Sequence, residues 1–496
     1  MSLQKNNLVL IFIFIIIAGA FLRLNNLSWE TYSYSEVEMK QAADQYAKGN
    51  FINTYYIFDT PPLSKYLFAA AAIFSNTEFS LRLVSVLFGI LTIVAVFFLC
   101  KKLYNIKTGL LASSITAFSI IHLQFSRYVQ QETMLSFFYV MIAYFTWDAI
   151  HEKRKHTFVF LGIFLGLALA TKFISIILII FIVIYAIYEK SIKISIRPRF
   201  SLSIDNWILK SIILSLIVLF LAWPFGFARL HTDATLSVHY GNEIRTQEIH
   251  SDIPIMILSF GRRLFTSLSE NTAYPVVLKL PILNYFLFYL AKESILIILL
   301  LIFGIYYVIK KPLKQDKFIL ILIIMFFVLL SFQLTNITYR HVTSVIPFLA
   351  ILSSRCLGRI KIRWQTLFIV MISTLLFLHA FLIGPSYVFY FNPLRDTFGI
   401  IDTEAKEAEG MHETVAYLNE NCSTTYAGDY YRFMIEPYYD NVTTSQKILT
   451  QCVVKGNISD VFEKGDVTNY IKSRDCTISR TVYKNSIKVL DIYMCL

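Results

Sequence analysis

The stretch Tyr32-Ser33-Tyr34-Ser35-Glu36-Val37-Glu38-Met39-Lys40, followed by Phe58-Asp59-Thr60-Pro61-Pro62-Leu63-Ser64-Lys65, decides how this chain reads. One apolar run precedes it and another follows, so carboxylates and prolines occupy a connection between two membrane segments. Such connections need only a few turn residues, and a long ordered one is usually functional. Two helices are expected within it. Ser35-x-x-Glu38 fits a capping box that starts a helix over about 36–48, stopped by Gly49. Pro61-Pro62 opens the second, because the first helical turn does not miss proline's absent N–H. Both read as helices lying on the membrane surface.

Composition sets the class. The 496 residues are 56% hydrophobic and 16% charged, with a mean hydropathy of +0.58, which marks a polytopic membrane protein. The net charge of +12 does not point to nucleic acid, because the basic residues cluster in short loops. These are Lys101, Lys102 and Lys107; Lys153, Arg154 and Lys155; Lys190, Lys193, Arg197 and Arg199; Lys310, Lys311 and Lys314; and Arg355, Arg359, Lys361 and Arg363. Basic loops beside spans mark the cytoplasmic side.

That rule gives an all-α polytopic membrane protein with about eleven transmembrane helices. The expected segments are residues 8–24, 80–100, 108–122, 133–150, 157–170, 173–188, 208–224, 288–309, 318–334, 341–357 and 365–385. A single helix over 157–188 would be about 48 Å long, against a hydrocarbon core near 30 Å. It would also put the basic loops at its two ends on opposite faces. A helical pair turning at Thr171-Lys172 keeps both inside. The transmembrane domain then covers residues 1–385, with the long loop 25–79 outside, and residues 386–496 form a small extracytoplasmic α/β domain.

Four tail cysteines, Cys422, Cys452, Cys476 and Cys495, suggest two disulfides in an oxidising compartment, with three possible pairings. Sequons at Asn421, Asn441 and Asn457 suit an external tail. Helix signals run from Thr403 to Asn419, and β-rich runs cover Thr481-Val482-Tyr483 and Ile487 to Met494. The chain has no P-loop, which argues against an ATP-driven pump, and no metal-spaced Cys/His cluster.

Ionisable residues recur at the outer ends of the spans: Glu36, Asp59, Arg127, Glu132, Lys172 and Arg340. The three cations run against the positive-inside trend, so each needs a local partner. Carboxylates beside fixed cations suit a reaction on an anionic lipid-linked group. A carboxylate takes the proton of an attacking hydroxyl, and the cations hold the leaving phosphate. Plain structural roles stand beside these. Glu38 serves the capping box, Asp59 with Thr60 caps the Pro61 helix, and Glu132 complements a helix dipole. Arg127 pairs with Glu132, Lys65 snorkels to headgroups, and His239 and His250 are loop polar residues.

These motifs resemble the protein O-mannosyltransferase family, part of the GT-C membrane glycosyltransferases that use polyprenyl-phosphate sugars. The family's Phe-Asp-Glu-Val-His and Phe-Asp-Val-His-Pro-Pro-Leu-Gly-Lys are similar to Tyr34-Ser35-Glu36-Val37-Glu38 and Phe58 to Lys65. Its Ser-Arg-Tyr-Ile-Leu-Leu-Asp is similar to Ser126-Arg127-Tyr128-Val129-Gln130-Gln131-Glu132. Arg82-Leu83, Thr171-Lys172 and Tyr390-Phe391-Asn392-Pro393-Leu394 also look family-like. The family's aspartate is Ser35 here, its histidine is Thr60, and the loop after the seventh span is too short for a MIR domain. A prokaryotic-type member is implied.

The resemblance implies an inverting glycosyltransferase that moves a sugar, mannose by resemblance, from a polyprenyl phosphate to a hydroxyl, first of all Ser/Thr of a secreted or membrane protein. Glu36 would be the base, with Glu132 and Asp59 as the other catalytic carboxylates. Arg127, Lys172 and Arg340 would bind the donor phosphate. The expected partners are membrane lipids, the lipid-linked sugar and the acceptor, with no nucleic acid. No cofactor is implied beyond the donor, and the need for a divalent metal is open. The alternatives are a lipid or polysaccharide acceptor, or a non-catalytic or transport protein.

Overall fold

A computed structural model describes residues 2–29, 31–51, 61–195, 201–227, 229–240, 243–254, 281–330 and 339–398, and, in the tail, 411–427, 442–443, 451–456, 476–484 and 487–495 with isolated positions between. Asp59 and Thr60, and the sequons at Asn441 and Asn457, lie outside the described residues.

The body is helical. Helix α1 (Ser2–Leu24) leads into α2 (Tyr34–Ala47) and α3 (Leu63–Phe74), then α4 (Glu78–Leu103). Next come α5 (Ile106–Phe118), α6 (Ile120–Phe125), α7 (Glu132–Trp147), α8 (Thr157–Thr171), α9 (Ile176–Tyr188) and α10 (Asn206–Ala222). The later helices are α11 (Pro281–Lys292), α12 (Ile295–Lys310), α13 (Lys314–Leu330), α14 (Ile346–Ser354) and α15 (Ile362–Ile383). Among the described residues, four helices are long and apolar enough to cross a membrane: Asn6–Leu24, Glu78–Leu103, Glu132–Glu152 and Ile362–Ile383. Shorter apolar helices pack among them. Gly162 and Gly166 bring α8 close to α10, since a Cβ there would fall 2.9 Å from the Ser211 carbonyl and 2.6 Å from that of Ser215. Close approach over small residues is how membrane helices gain contact without a hydrophobic drive between them.

The expected division of 157–188 is present, and other expected spans are broken. The run 157–188 splits at Lys172, where the backbone turns extended before a short 3-10 turn, Phe173–Ser175. The run 108–122 breaks at Ser119, whose hydroxyl accepts the His122 N–H at 3.2 Å and donates to Glu293. The expected 288–309 span begins only at Ile295. Its break is closed by Asn392, whose side-chain amide donates to the carbonyls of Leu290 (2.6 Å) and Glu293 (2.7 Å). A buried polar side chain makes the break affordable by meeting the backbone groups it frees.

Helix α2 starts two residues earlier than the pattern over 36–48 suggests. Its N-cap is Ser33, and Glu36 is the residue that reaches back, accepting the Ser33 N–H at 2.9 Å. Gly49 closes the helix at φ +78°. The large loop after α10 contains an antiparallel hairpin, β3 (Arg229–Tyr240) with β4 (Glu243–Pro254), where no structure was anticipated. An earlier hairpin pairs β1 (Ile192–Ser195) with β2 (Ser201–Ile204).

The tail holds helix α16 (Met411–Asn421) and strands β5 (Thr425–Ala427), β6 (Val442–Thr443), β7 (Cys452–Gly456), β8 (Thr477–Lys484) and β9 (Ile487–Met494). They form one sheet in the order β6-β5-β7-β9-β8, parallel among β5, β6 and β7 and antiparallel elsewhere. Of the three pairings open to the cysteines, the structure has Cys422–Cys452 and Cys476–Cys495.

Candidate active site

Glu36 and Arg127 hold the chain together around the end of α1. The Glu36 carboxylate is fully buried. It accepts from Arg82 Nε (2.8 Å) and Nη2 (2.9 Å), from the Ser33 N–H (2.9 Å) and from the Val129 N–H (2.9 Å). Arg82 also donates to the carbonyls of Leu27 (2.9 Å) and Thr31 (3.0 Å). With both oxygens shared between two donors each, Glu36 offers an attacking hydroxyl no open lone pair. Arg127 Nη1 donates to the carbonyls of Leu22, Arg23 and Asn25, and Nη2 to that of Asn26. A guanidinium over the last carbonyls of a helix satisfies the orphan acceptors there and complements the dipole. It does not pair with Glu132.

Glu132 pairs instead with Lys172. It is the first residue of α7 and 2% exposed. Its Oε1 lies 3.0 Å from Lys172 Nζ, which reaches in from the break between α8 and α9. Its Oε2 is buried and meets no hydrogen-bond donor among the described residues. Lys172 is the more accessible partner, its side chain 19% exposed. An ammonium carries three donors, and this bond uses one of them.

Two further elements border the pair. Ser64 Oγ, in the first turn of α3, donates to Gln131 Oε1 at 3.2 Å, the residue just before Glu132. Beside it Lys65 is buried, and burial lowers its pKa to about 7. On another side Ser136, one turn beyond Glu132, donates to the Thr343 carbonyl at 3.0 Å. That bond seats the turn Tyr339–Ser344, in which Arg340 is half-buried, against α7.

The structure thus brings Glu132 and Lys172 together, with Lys65 and Arg340 on the elements that flank them, while Glu36 binds Arg82 and Arg127 binds the end of α1. Glu38 is half-buried, and Ser35 too is only partly covered. His239 and His250 fall in strands of the β3–β4 hairpin. Sequence reasoning passed over Ser64, Gln131 and Glu293. The signals were there: a glutamine directly before a site carboxylate, and an acid inside an apolar run.

Residues 59–223 match the family model described as Dolichyl-phosphate-mannose-protein mannosyltransferase. No curated protein matches the chain. The fold is similar to an oligosaccharyltransferase of Archaeoglobus fulgidus in the apo form (TM-score 0.55, 12% identity), over 93% of this chain and 71% of that one. It is similar to the AglB oligosaccharyltransferase of the same organism in complex with an inhibitory peptide and a dolichol-phosphate (TM-score 0.55, 13% identity), over 95% and 73%. It is also similar to apo ArnT from Cupriavidus metallidurans (TM-score 0.52, 13% identity), over 99% and 98%. The family match covers about a third of the chain, residues 59–223, and the solved structures share its fold.

Proposed function

We propose that this chain transfers a sugar, mannose on the strength of its family match, from polyprenyl phosphate to a hydroxyl of a protein on the outer face of the membrane, with inversion. Glu132 is the base. Its Oε2 takes the acceptor proton, the acceptor oxygen bonds to C1 of the sugar, and the C1–O bond to phosphate breaks on the opposite side. Polyprenyl phosphate leaves with that electron pair. Lys172 meets the charge with the two N–H groups that Glu132 does not use, and Arg340 is the second phosphate cation. Electrostatic support of this kind acts where charge develops.

The observation that carries this reading is the Glu132–Lys172 pair at 3.0 Å with Glu132 Oε2 unpartnered. One ion pair then serves both ends of the reaction. The outer-face placement is supported by the two tail disulfides, which persist in oxidising compartments, and by the basic loops on the other side. Eleven spans remain the topology that these loops favour, and the tail sheet is read as a small outer domain. The test is an in vitro assay with purified protein, a panel of polyprenyl-phosphate sugars, and peptide, lipid and polysaccharide acceptors. Transfer to a peptide hydroxyl with release of polyprenyl phosphate is the expected result. Transfer only to a lipid or polysaccharide overturns the acceptor, and donor binding without transfer overturns the enzyme reading.

A further inference from the structure

The Ser64–Gln131 hydrogen bond spans 67 positions of sequence and links the first turn of α3 to the residue that precedes Glu132. Ser64 is fully buried and Gln131 is 5% exposed, so the bond is shielded from water. A polar side chain introduced alone at either buried position would cost free energy, whereas the two together satisfy one another.

The neighbours give the bond its meaning. Ser64 is followed by Lys65, and Gln131 by Glu132. Whatever fixes Ser64 against Gln131 also fixes the two charged residues next to them. Other contacts of the α7 start act from different sides: Lys172 on Glu132 Oε1, Ser136 on the Thr343 carbonyl, and Ser85 of α4, whose hydroxyl donates to the Gln130 carbonyl and whose own carbonyl accepts from Thr133. The Val129 N–H is held by Glu36. The link to Ser64 joins this start to the α3 helix of the first outer loop.

We infer that Ser64 and Gln131 are a pair of positioning residues, a latch that holds the first outer loop against the Glu132 turn and sets the orientation of the Glu132 carboxylate toward the acceptor. This inference rests on the transfer reading above. The latch touches no reacting atom. Its loss lets the carboxylate move by a fraction of an ångström to an ångström, and misplacement on that scale costs up to about 10²-fold in rate.

The experiment is a double-mutant cycle in the full chain with Ser64→Ala, Gln131→Met and both together. It reads kcat, KM for the lipid-linked sugar and the thermal midpoint of each variant. Each single variant is expected to lose about tenfold in kcat with KM within about twofold, and the double variant to lose no more than either single, because one bond can be broken only once. Ser64→Thr, which keeps the hydroxyl, is expected to retain kcat within about threefold of the unaltered protein. Unchanged rates, losses that multiply in the double variant, or losses that vanish after correction for folded fraction would overturn the latch. If the unaltered protein transfers no sugar, the transfer reading falls on its own. The same cycle is then read in the thermal shift produced by polyprenyl phosphate alone, where a missing coupling overturns the latch.

Discussion

Lys172 Nζ sits 3.0 Å from Glu132 Oε1, and the second oxygen of that carboxylate is buried with no donor facing it among the described residues. A buried carboxylate with one satisfied and one open oxygen is an expensive arrangement for a purely structural pair. It is economical where a substrate hydroxyl completes it. The helix break that delivers Lys172 serves the same end, because a continuous helix over 157–188 would carry this lysine along a lipid- or protein-packed face. Glu36 and Arg127 are bound to Arg82 and to the end of α1, and they make distinguishable predictions.

Glu36→Gln takes from the buried Arg82 guanidinium the carboxylate that accepts two of its hydrogen bonds. Breaking one partner of a buried pair costs about 3–5 kcal/mol, so the variant should show a clear fall in thermal midpoint in detergent. Any loss of turnover should track the folded fraction. A Glu36→Gln, Arg82→Met double variant should recover part of the midpoint, since no uncompensated charge remains. A Glu36→Gln protein with an unaltered midpoint would remove the scaffold role.

Arg127→Lys replaces a planar fork with a single point donor. Four carbonyls at the end of α1 then share at most three hydrogen-bond donors. The expected outcome is a lower thermal midpoint with KM for the donor within about twofold, because the guanidinium is engaged by the carbonyls at the end of α1. A KM raised tenfold or more at unchanged stability would return Arg127 to the donor site.

Lys65 gives a pH signature. Its folded-state pKa, lowered to about 7 by burial, lies below the ordinary lysine value, so between these limits the unfolded chain binds a proton that the folded chain does not. Stability contributed by this group therefore rises with pH from about 7 toward 10 and is lost as pH falls through 7. Comparing midpoints of the native chain and Lys65→Met across that range should show the rise in the native chain and a flatter profile in the variant. Parallel profiles would mean that Lys65 titrates normally.

Much of this was legible in the sequence, and the misses share a cause. Ser33-x-x-Glu36 and Ser35-x-x-Glu38 overlap by two residues, and either can cap a helix. Arg82 and the Val129 N–H select the first, and both come from outside the local sequence. The charge rule correctly marked Arg127 as a cation that needs a partner, but could not tell a phosphate from the carbonyls of a helix end. The tail strands over 477–484 and 487–494 follow their β-rich runs closely. Between β3 and β4 the sequence reads Gly241-Asn242, an ordinary hairpin signal set inside a long polar loop. The apolar pattern continues through the break at Ser119 and hides it, whereas the break at Lys292–Ser294 is marked by a polar triplet, Lys292-Glu293-Ser294, inside an apolar run. Side chains far along the chain, Glu293 and Asn392, make those breaks possible.

The most direct measurement of the central claim is the single-turnover transfer rate of folded Glu132→Gln beside folded Glu36→Gln, with saturating polyprenyl-phosphate sugar and acceptor. Glutamine keeps the size and hydrogen bonding of glutamate but cannot take the proton. If Glu132 is the base, Glu132→Gln falls by roughly 10²–10⁴-fold, while Glu36→Gln, per folded molecule, stays within a few-fold of the unaltered protein. A Glu132→Gln enzyme that turns over at the native rate, beside a folded but inactive Glu36→Gln, would contradict the account.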